Sequence, residues 1–134
     1  MTVIIPPHNR PTETRRAVLS TLAETERRIE ILVIDDGSRN PKSLQAALSY
    51  PRDSKLVLTL LSPNRGANHA RNHGVAISRA TFVAFLDSDD EWLPTKLKCQ
   101  LAQASTANKP TVSFCRFKTT TNATVRPIEP APPR

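Results

Sequence analysis

Three carboxylates stand together at Asp87-Ser88-Asp89-Asp90, directly after the apolar run Phe82 to Leu86. A strand that ends this way delivers like charges into one turn, and without a counter-ion their repulsion costs stability. A hard divalent cation removes that repulsion. Mg2+ or Mn2+ takes oxygen ligands, commonly one or two carboxylates completed by phosphate oxygens and water. An ion held by Asp87 and Asp89 alone would stay loose until a diphosphate arrived. The plainer reading is a solvated acidic turn in which an Asp caps the next helix. The apolar strand before the turn and Trp92-Leu93-Pro94 after it favour the site.

A second acidic turn, Asp35-Asp36-Gly37-Ser38, closes the β-branched run Ile29 to Ile34. An acid at the end of the second strand of a nucleotide-binding sheet can accept hydrogen bonds from a ribose or base. A turn closed by an Asx hydrogen bond is the alternative. Two more polar clusters follow apolar runs: Pro7-His8-Asn9-Arg10 after Thr2 to Ile5, and Asn64-Arg65-Gly66 after Leu56 to Leu61.

The elements that must position these clusters alternate. Strands are expected at Thr2 to Ile5, Ile29 to Ile34, Leu56 to Leu61, Thr81 to Leu86 and Thr111 to Phe117. Helices are expected at Thr12 to Glu26 with Thr12 as cap, at Pro41 to Tyr50 opened by Asn40, and at Ala67 to Ser78. A further helix, Leu93 to Ala104, carries Leu93, Leu97, Leu101 and Ala104 on one face. This order predicts an α/β fold, a mostly parallel sheet with helices on both faces. Ligands of such sheets bind beyond the carboxyl ends of the strands. The four polar clusters all follow strands and should gather at that rim.

Composition narrows the partners. The chain has 134 residues, 38% hydrophobic and only 4% aromatic, so a single core would be built from Leu, Val, Ile and Ala. A formal charge of +7 favours anionic partners. The basic residues are scattered, Arg15-Arg16 and Arg27-Arg28 being pairs without interleaved aromatics, so no nucleic-acid partner is expected. With 3 glycines in all and none between Pro6 and Arg10, both the dinucleotide fingerprint and the P-loop are missing. That argues against a nicotinamide enzyme and a P-loop NTPase, and the same gap argues against a nucleotidyltransferase. Cys99 and Cys115 fit no zinc or redox spacing and read as reduced, partly buried thiols. Nothing has the length of a membrane span or the pattern of a signal peptide. The expected place is the cytoplasm, or the cytosolic face of a membrane reached through other parts. Residues 118–134, with Pro127, Pro130, Pro132 and Pro133, read as a disordered tail beside a domain at 1–117.

Taken together, Val3-Ile4-Ile5-Pro6, Asn9-Arg10, Ile31 to Ser38, Asn64-Arg65-Gly66, Ala70-Arg71-Asn72-His73-Gly74, Phe85 to Asp90 and Trp92 to Leu97 resemble a family 2 glycosyltransferase. Number, order and spacing across residues 2–105 make the resemblance specific. It implies a GT-A fold, a nucleotide-diphosphate sugar donor (a UDP-sugar above all) and a part in polysaccharide biosynthesis. Residues matching Pro6, His8 and Asp36, with Asn9 beside them, would line the base and ribose pocket. Asp87 and Asp89 would form the DxD element that holds Mg2+ or Mn2+ on the diphosphate, with Asp89 the preferred direct ligand. Arg71 would approach the diphosphate, or lie on a helix surface as arginines commonly do. Pro7 and His8 replace the family's usual Thr and aromatic, and Ala80 stands where a glycine is usual.

The family's catalytic base is an acid well downstream that deprotonates the acceptor hydroxyl. After Glu91 this sequence has one acid, Glu129. The expectation is a metal-dependent, inverting transferase whose donor half is kept, truncated after about five strands, without base or acceptor site. A non-catalytic nucleotide-sugar-binding module stays open beside it. The acceptor, whether glycan, lipid or protein, is not encoded here.

Overall fold

The computed structural model describes residues 1–26, 28–49, 53–118, 120–121 and 124–125. The chain divides into two compact units, Met1–Lys98 and Cys99–Arg134.

In the first unit four parallel strands form one sheet: β1 (Thr2–Ile5), β2 (Glu30–Asp36), β3 (Leu56–Leu61) and β4 (Val83–Phe85), in the order β3-β2-β1-β4. The helices α1 (Pro11–Leu22), α2 (Pro41–Leu48) and α3 (Ala67–Ile77) connect them, and α4 (Lys96–Ala104) follows β4. Alternation along β1 and β2 divides the core. Val3, Ile5, Ile31 and Val33 face Ala17 and Val18 of α1, Leu44 and Leu48 of α2, and Leu97. Ile4, Leu32 and Ile34 face Ala70 of α3. A strand buried on both sides has to be apolar throughout, which is why β1 and β2 read as continuous runs. On the α3 side Gly74 allows the close approach: a Cβ there would lie 2.8–3.0 Å from the side chain of Ile4.

Element ends depart from the sequence expectation for identifiable reasons. Helix α1 starts at Pro11, whose fixed φ suits the first helical position, and Arg10 rather than Thr12 holds the cap position. The helix stops at Leu22, not Glu26, because the chain then turns inward. The Thr25 N–H donates to Pro94 O (2.7 Å), and the buried Glu24 accepts from Leu97 N (3.1 Å). Strand β2 continues through Asp35 and Asp36, which pair in register with Leu60 and Leu61. Helix α2 begins as expected, with Asn40 Oδ1 accepting from Ser43 N at 3.3 Å. Helix α4 begins at Lys96, so Leu93 lies before it and is 73% exposed.

In the second unit the expected fifth strand, Thr111 to Phe117, does not form. That segment has no ladder, and Val112, Phe114 and Phe117 are exposed. Strand propensity alone does not hold a segment that lacks a hydrogen-bonded neighbour. A short antiparallel pair forms instead, β5 (Thr120–Thr121) with β6 (Thr124–Val125), inside the stretch read as a disordered tail. Residues 119, 122–123 and 126–134 of that tail lie outside the described residues. Cys99 and Cys115 are free and exposed, not partly buried. Among the described residues no helix is long and apolar enough to cross a membrane.

Candidate functional site

The loops after β1, β2 and β3 interlock at the carboxyl rim of the sheet. Asn9 adopts φ +55°, a left-handed conformation that asparagine tolerates better than most residues. Its N–H donates to Ser38 Oγ (2.8 Å), and Ser38 Oγ donates in turn to the buried Asp35 carboxylate. Asn9 Oδ1 accepts from Arg39 N at 2.8 Å, which turns the amide NH2 of Asn9 toward His8 Nε2, also at 2.8 Å. His8 Nδ1 lies 3.1 Å from both Asp36 O and Asn64 Nδ2. Both edges of the His8 ring are therefore engaged within the loops, while the residue itself is exposed.

Asp36 is 2% exposed, and its carboxylate is fully employed. Oδ2 accepts from Asn64 Nδ2 (2.9 Å) and Gly66 N (2.7 Å), and Oδ1 accepts from Arg65 N (3.1 Å). Asn64 Nδ2 also reaches Asp36 O at 2.8 Å. Next to Asp36, Gly37 takes φ +71°, and a Cβ on it would sit 2.6 Å from Asn64 N. Only glycine lets the turn after β2 lie so close to the loop after β3. Pro6 and Pro7 are buried beneath, and Pro7 O accepts from Asp36 N at 3.0 Å.

The acidic turn after β4 completes the rim. Asp87 O accepts from Asp90 N (3.0 Å), which closes the turn, and Ser88 points inward at 5% exposure. Asp87 and Asp89 stay about half exposed, and each meets an arginine. Arg71 Nη2 of α3 reaches Asp87 Oδ1 at 2.5 Å, and Arg10, at the cap position of α1, pairs with Asp89. Burial, then the neighbouring charges of Asp89 and Asp87, pushes the Asp90 carboxyl above its ordinary range. Helix α1 braces the turn from below: Ser20 Oγ accepts from Trp92 N (3.1 Å) and Arg16 lies 3.8 Å from Glu91. The Lys96 ammonium lies over the Trp92 ring at 3.6 Å. Among the described residues no group of three or more His, Cys, Asp or Glu forms a metal cage. A cavity of about 560 Å³ lies elsewhere, between α2 and the start of β3, and none of the rim residues lines it.

The structure thus joins His8, Asn9 and Asp36 in one network, with Pro6 buried at the end of β1, and Arg71, Asp87 and Asp89 in an ionic cluster. Arg10 links the two, two residues beyond His8 and paired with Asp89. Sequence reasoning placed Arg10, Ser38 and Asn64 at the rim but gave none of them a role. The signal for Arg10 was a basic residue after the first strand and an acidic turn after the fourth, but it has meaning only once β1 and β4 are known to be neighbours.

The profile of the family described as "Glycosyl transferase family 2" matches residues 2–130, and the chain belongs to that family. It is 35% identical over 104 residues to the uncharacterized glycosyltransferase YibD of Escherichia coli, covering 78% of this chain and 30% of YibD. Its fold matches the crystal structure of S. aureus TarS 1–349 in complex with UDP-GlcNAc, with a TM-score of 0.68, 24% identity, and coverage of 84% of this chain and 36% of that one. It also matches the mannosyltransferase PcManGT of Pyrobaculum calidifontis in complex with GDP-Man and Mn2+, with a TM-score of 0.69, 21% identity, and coverage of 80% and 32%. At these identities the structural likeness speaks for the fold, which is that of the GT-A transferases. The chain spans about a third or less of the length of the curated relatives it matches.

Proposed function

We propose that this chain forms the donor-binding half of a metal-dependent, inverting glycosyltransferase that uses a nucleoside-diphosphate sugar. The observation that carries the reading is the convergence of four strand-end loops on one rim. An exposed imidazole stands on one side of that rim and a half-exposed carboxylate pair on the other, a layout suited to a nucleoside followed by a diphosphate. The solved relatives hold UDP-GlcNAc in one case and GDP-Man with Mn2+ in another, which agrees with such a partner.

The His8 ring, with its edges engaged, would offer its face to the base. Asp36 would act on the nucleoside through the loop it anchors, since its oxygens are occupied by residues 64–66. Asp87 and Asp89 fit a Mg2+ or Mn2+ ion as hard oxygen donors on one turn, with diphosphate and water completing the shell. When bound, the ion would neutralise charge on the departing nucleoside diphosphate. Arg71 would hold Asp87 in place and share the phosphate charge.

Titration of UDP and GDP by calorimetry, with and without Mn2+, tests the reading. Metal-dependent binding that Asp89→Ala abolishes is the expected result, and unchanged affinity in that variant defeats the ligand assignment.

A nucleotide-sugar-binding module without turnover is the alternative, and it would show binding but neither transfer nor donor hydrolysis.

A further inference from the structure

Asp89 carries a partner that a metal site does not require. The Arg10 guanidinium sits on it, while the backbone of Arg10 is pinned: its carbonyl accepts from Thr14 N (3.0 Å) and from Thr14 Oγ1. The anchor is fixed and the long side chain is half exposed. Arg71 differs, because it holds both Asp87 (2.5 Å) and Asn68 (2.9 Å) and is only 28% exposed. Of the two arginines Arg10 is the one built to move. It also occupies the interval between His8 and Asp89, where a nucleoside diphosphate reaching from one to the other would lay its phosphates.

We propose that Arg10 is a built-in counter-ion of Asp89 that competes with a divalent cation and, once displaced, turns onto the phosphates of the bound nucleotide. The proposal rests on the donor-site reading above and adds to it a residue and an order of events. An exposed ion pair holds its partners only weakly, so a doubly charged ion can take the carboxylate from it. The released guanidinium is a planar fork of donors that matches phosphate oxygens better than a point charge does. Until a metal comes, the pair keeps the rim partly neutralised. Cation and nucleotide should therefore bind with mutual reinforcement: the cation frees the arginine, and the arginine improves the phosphate site.

The test compares the 134-residue chain with its Arg10→Gln variant, both checked for fold by circular dichroism. Mn2+ binding alone is followed by the electron paramagnetic resonance signal of the free ion. UDP and GDP binding at saturating Mn2+ is followed by calorimetry. The expected result has opposite signs. Mn2+ alone binds the variant roughly two- to fivefold more tightly, the worth of an exposed pair. The nucleotide with Mn2+ binds it about tenfold or more weakly, the worth of a charge-assisted hydrogen bond. Partial unfolding would weaken both and cannot imitate this. Arg10→Lys, which keeps the charge, should restore Mn2+ affinity to the original level while recovering only part of the nucleotide affinity. Unchanged or weaker Mn2+ binding in Arg10→Gln overturns the competition, and unchanged nucleotide binding overturns the phosphate contact. An original chain that takes Mn2+ but neither nucleotide overturns the donor-site reading and the phosphate contact together, and the Mn2+ titration still decides the competition. Mn2+ binding to neither protein overturns all of it.

Discussion

Replacing Asp36 by Asn changes one oxygen to a nitrogen and should nevertheless cost the first unit much of its stability. The carboxylate receives three donors on two oxygens: Asn64 Nδ2 and Gly66 N on Oδ2, and Arg65 N on Oδ1. An asparagine has one acceptor to offer. In its better orientation it keeps the two donors on the Oδ2 side and turns its own NH2 toward Arg65 N. Two charge-assisted bonds become neutral ones, losing about 1 kcal/mol each, and one part-buried donor faces another at about 1 kcal/mol. The expected loss is about 3 kcal/mol, a large share of the stability of a small domain. Urea unfolding followed by circular dichroism would read it as a lower midpoint with the same slope, because the surface exposed on unfolding does not change. Asn64→Ala should reproduce the smaller part, about 1–2 kcal/mol, since it removes the amide that bonds both the carboxylate and Asp36 O and leaves the carboxylate its two backbone partners. A loss below about 1 kcal/mol for Asp36→Asn would mean that water replaces these bonds. The loop after β3 would then not depend on Asp36, and the argument that Asp36 shapes the site through that loop would fail.

Glu24 and Gly74 give two further expectations. Glu24 is fully buried, with Oε2 lacking a hydrogen-bond partner among the described residues. Burial pushes its carboxyl up, and the Leu97 N–H, the Lys96 charge and the Thr25 N–H pull it part of the way back. A folded pKa above the unfolded one contributes stability that is present below the unfolded carboxylate range and is lost as pH rises through the raised value. Glu24→Gln, neutral and of the same shape, should melt higher than the original chain at near-neutral pH and converge with it in acid; a lower Tm at neutral pH would refute this. Gly74→Ala places a methyl group against Ile4 and should cost about 1–3 kcal/mol by overpacking, measured again by urea midpoint, and a neutral result would show that α3 can lift from β1 freely.

Much of the fold was legible because its signals are local. The apolar runs of β1 and β2, the Asn40-Pro41 start of α2 and the alternation of elements all follow from short-range chemistry. The Thr111 to Phe117 segment misled for the complementary reason: its apolar and β-branched residues describe a strand, but pairing depends on a neighbour, and no spacing within the segment reports one. The end of α1 was misplaced because Glu24 and Thr25 serve contacts some seventy residues away in sequence, with Leu97 and Pro94. At the candidate site, residue types pointed to Asp36, Asp87 and Asp89. What they touch was hidden, since Asn64 and Arg10 come from loops brought together only by the order of the strands.

The hydrogen bonds between the first two loops bear on how the sheet finds its alignment. Hydrophobic alternation repeats every two residues, so β1 could slide by two along β2 and still turn apolar side chains to both layers. Such a slip moves the strand by roughly 6.6 Å. It would carry Asn9 away from Ser38 and Arg39, and His8 away from Asp36, breaking contacts that hold only when Ile5 lies opposite Val33. The polar rim thus works as a vernier: oil-like packing brings the strands to within one repeat, and the hydrogen bonds among the rim loops select the correct notch. A chain that folded out of register would bury its core and lose the rim network, so the rim reports on strand alignment where apolar burial does not.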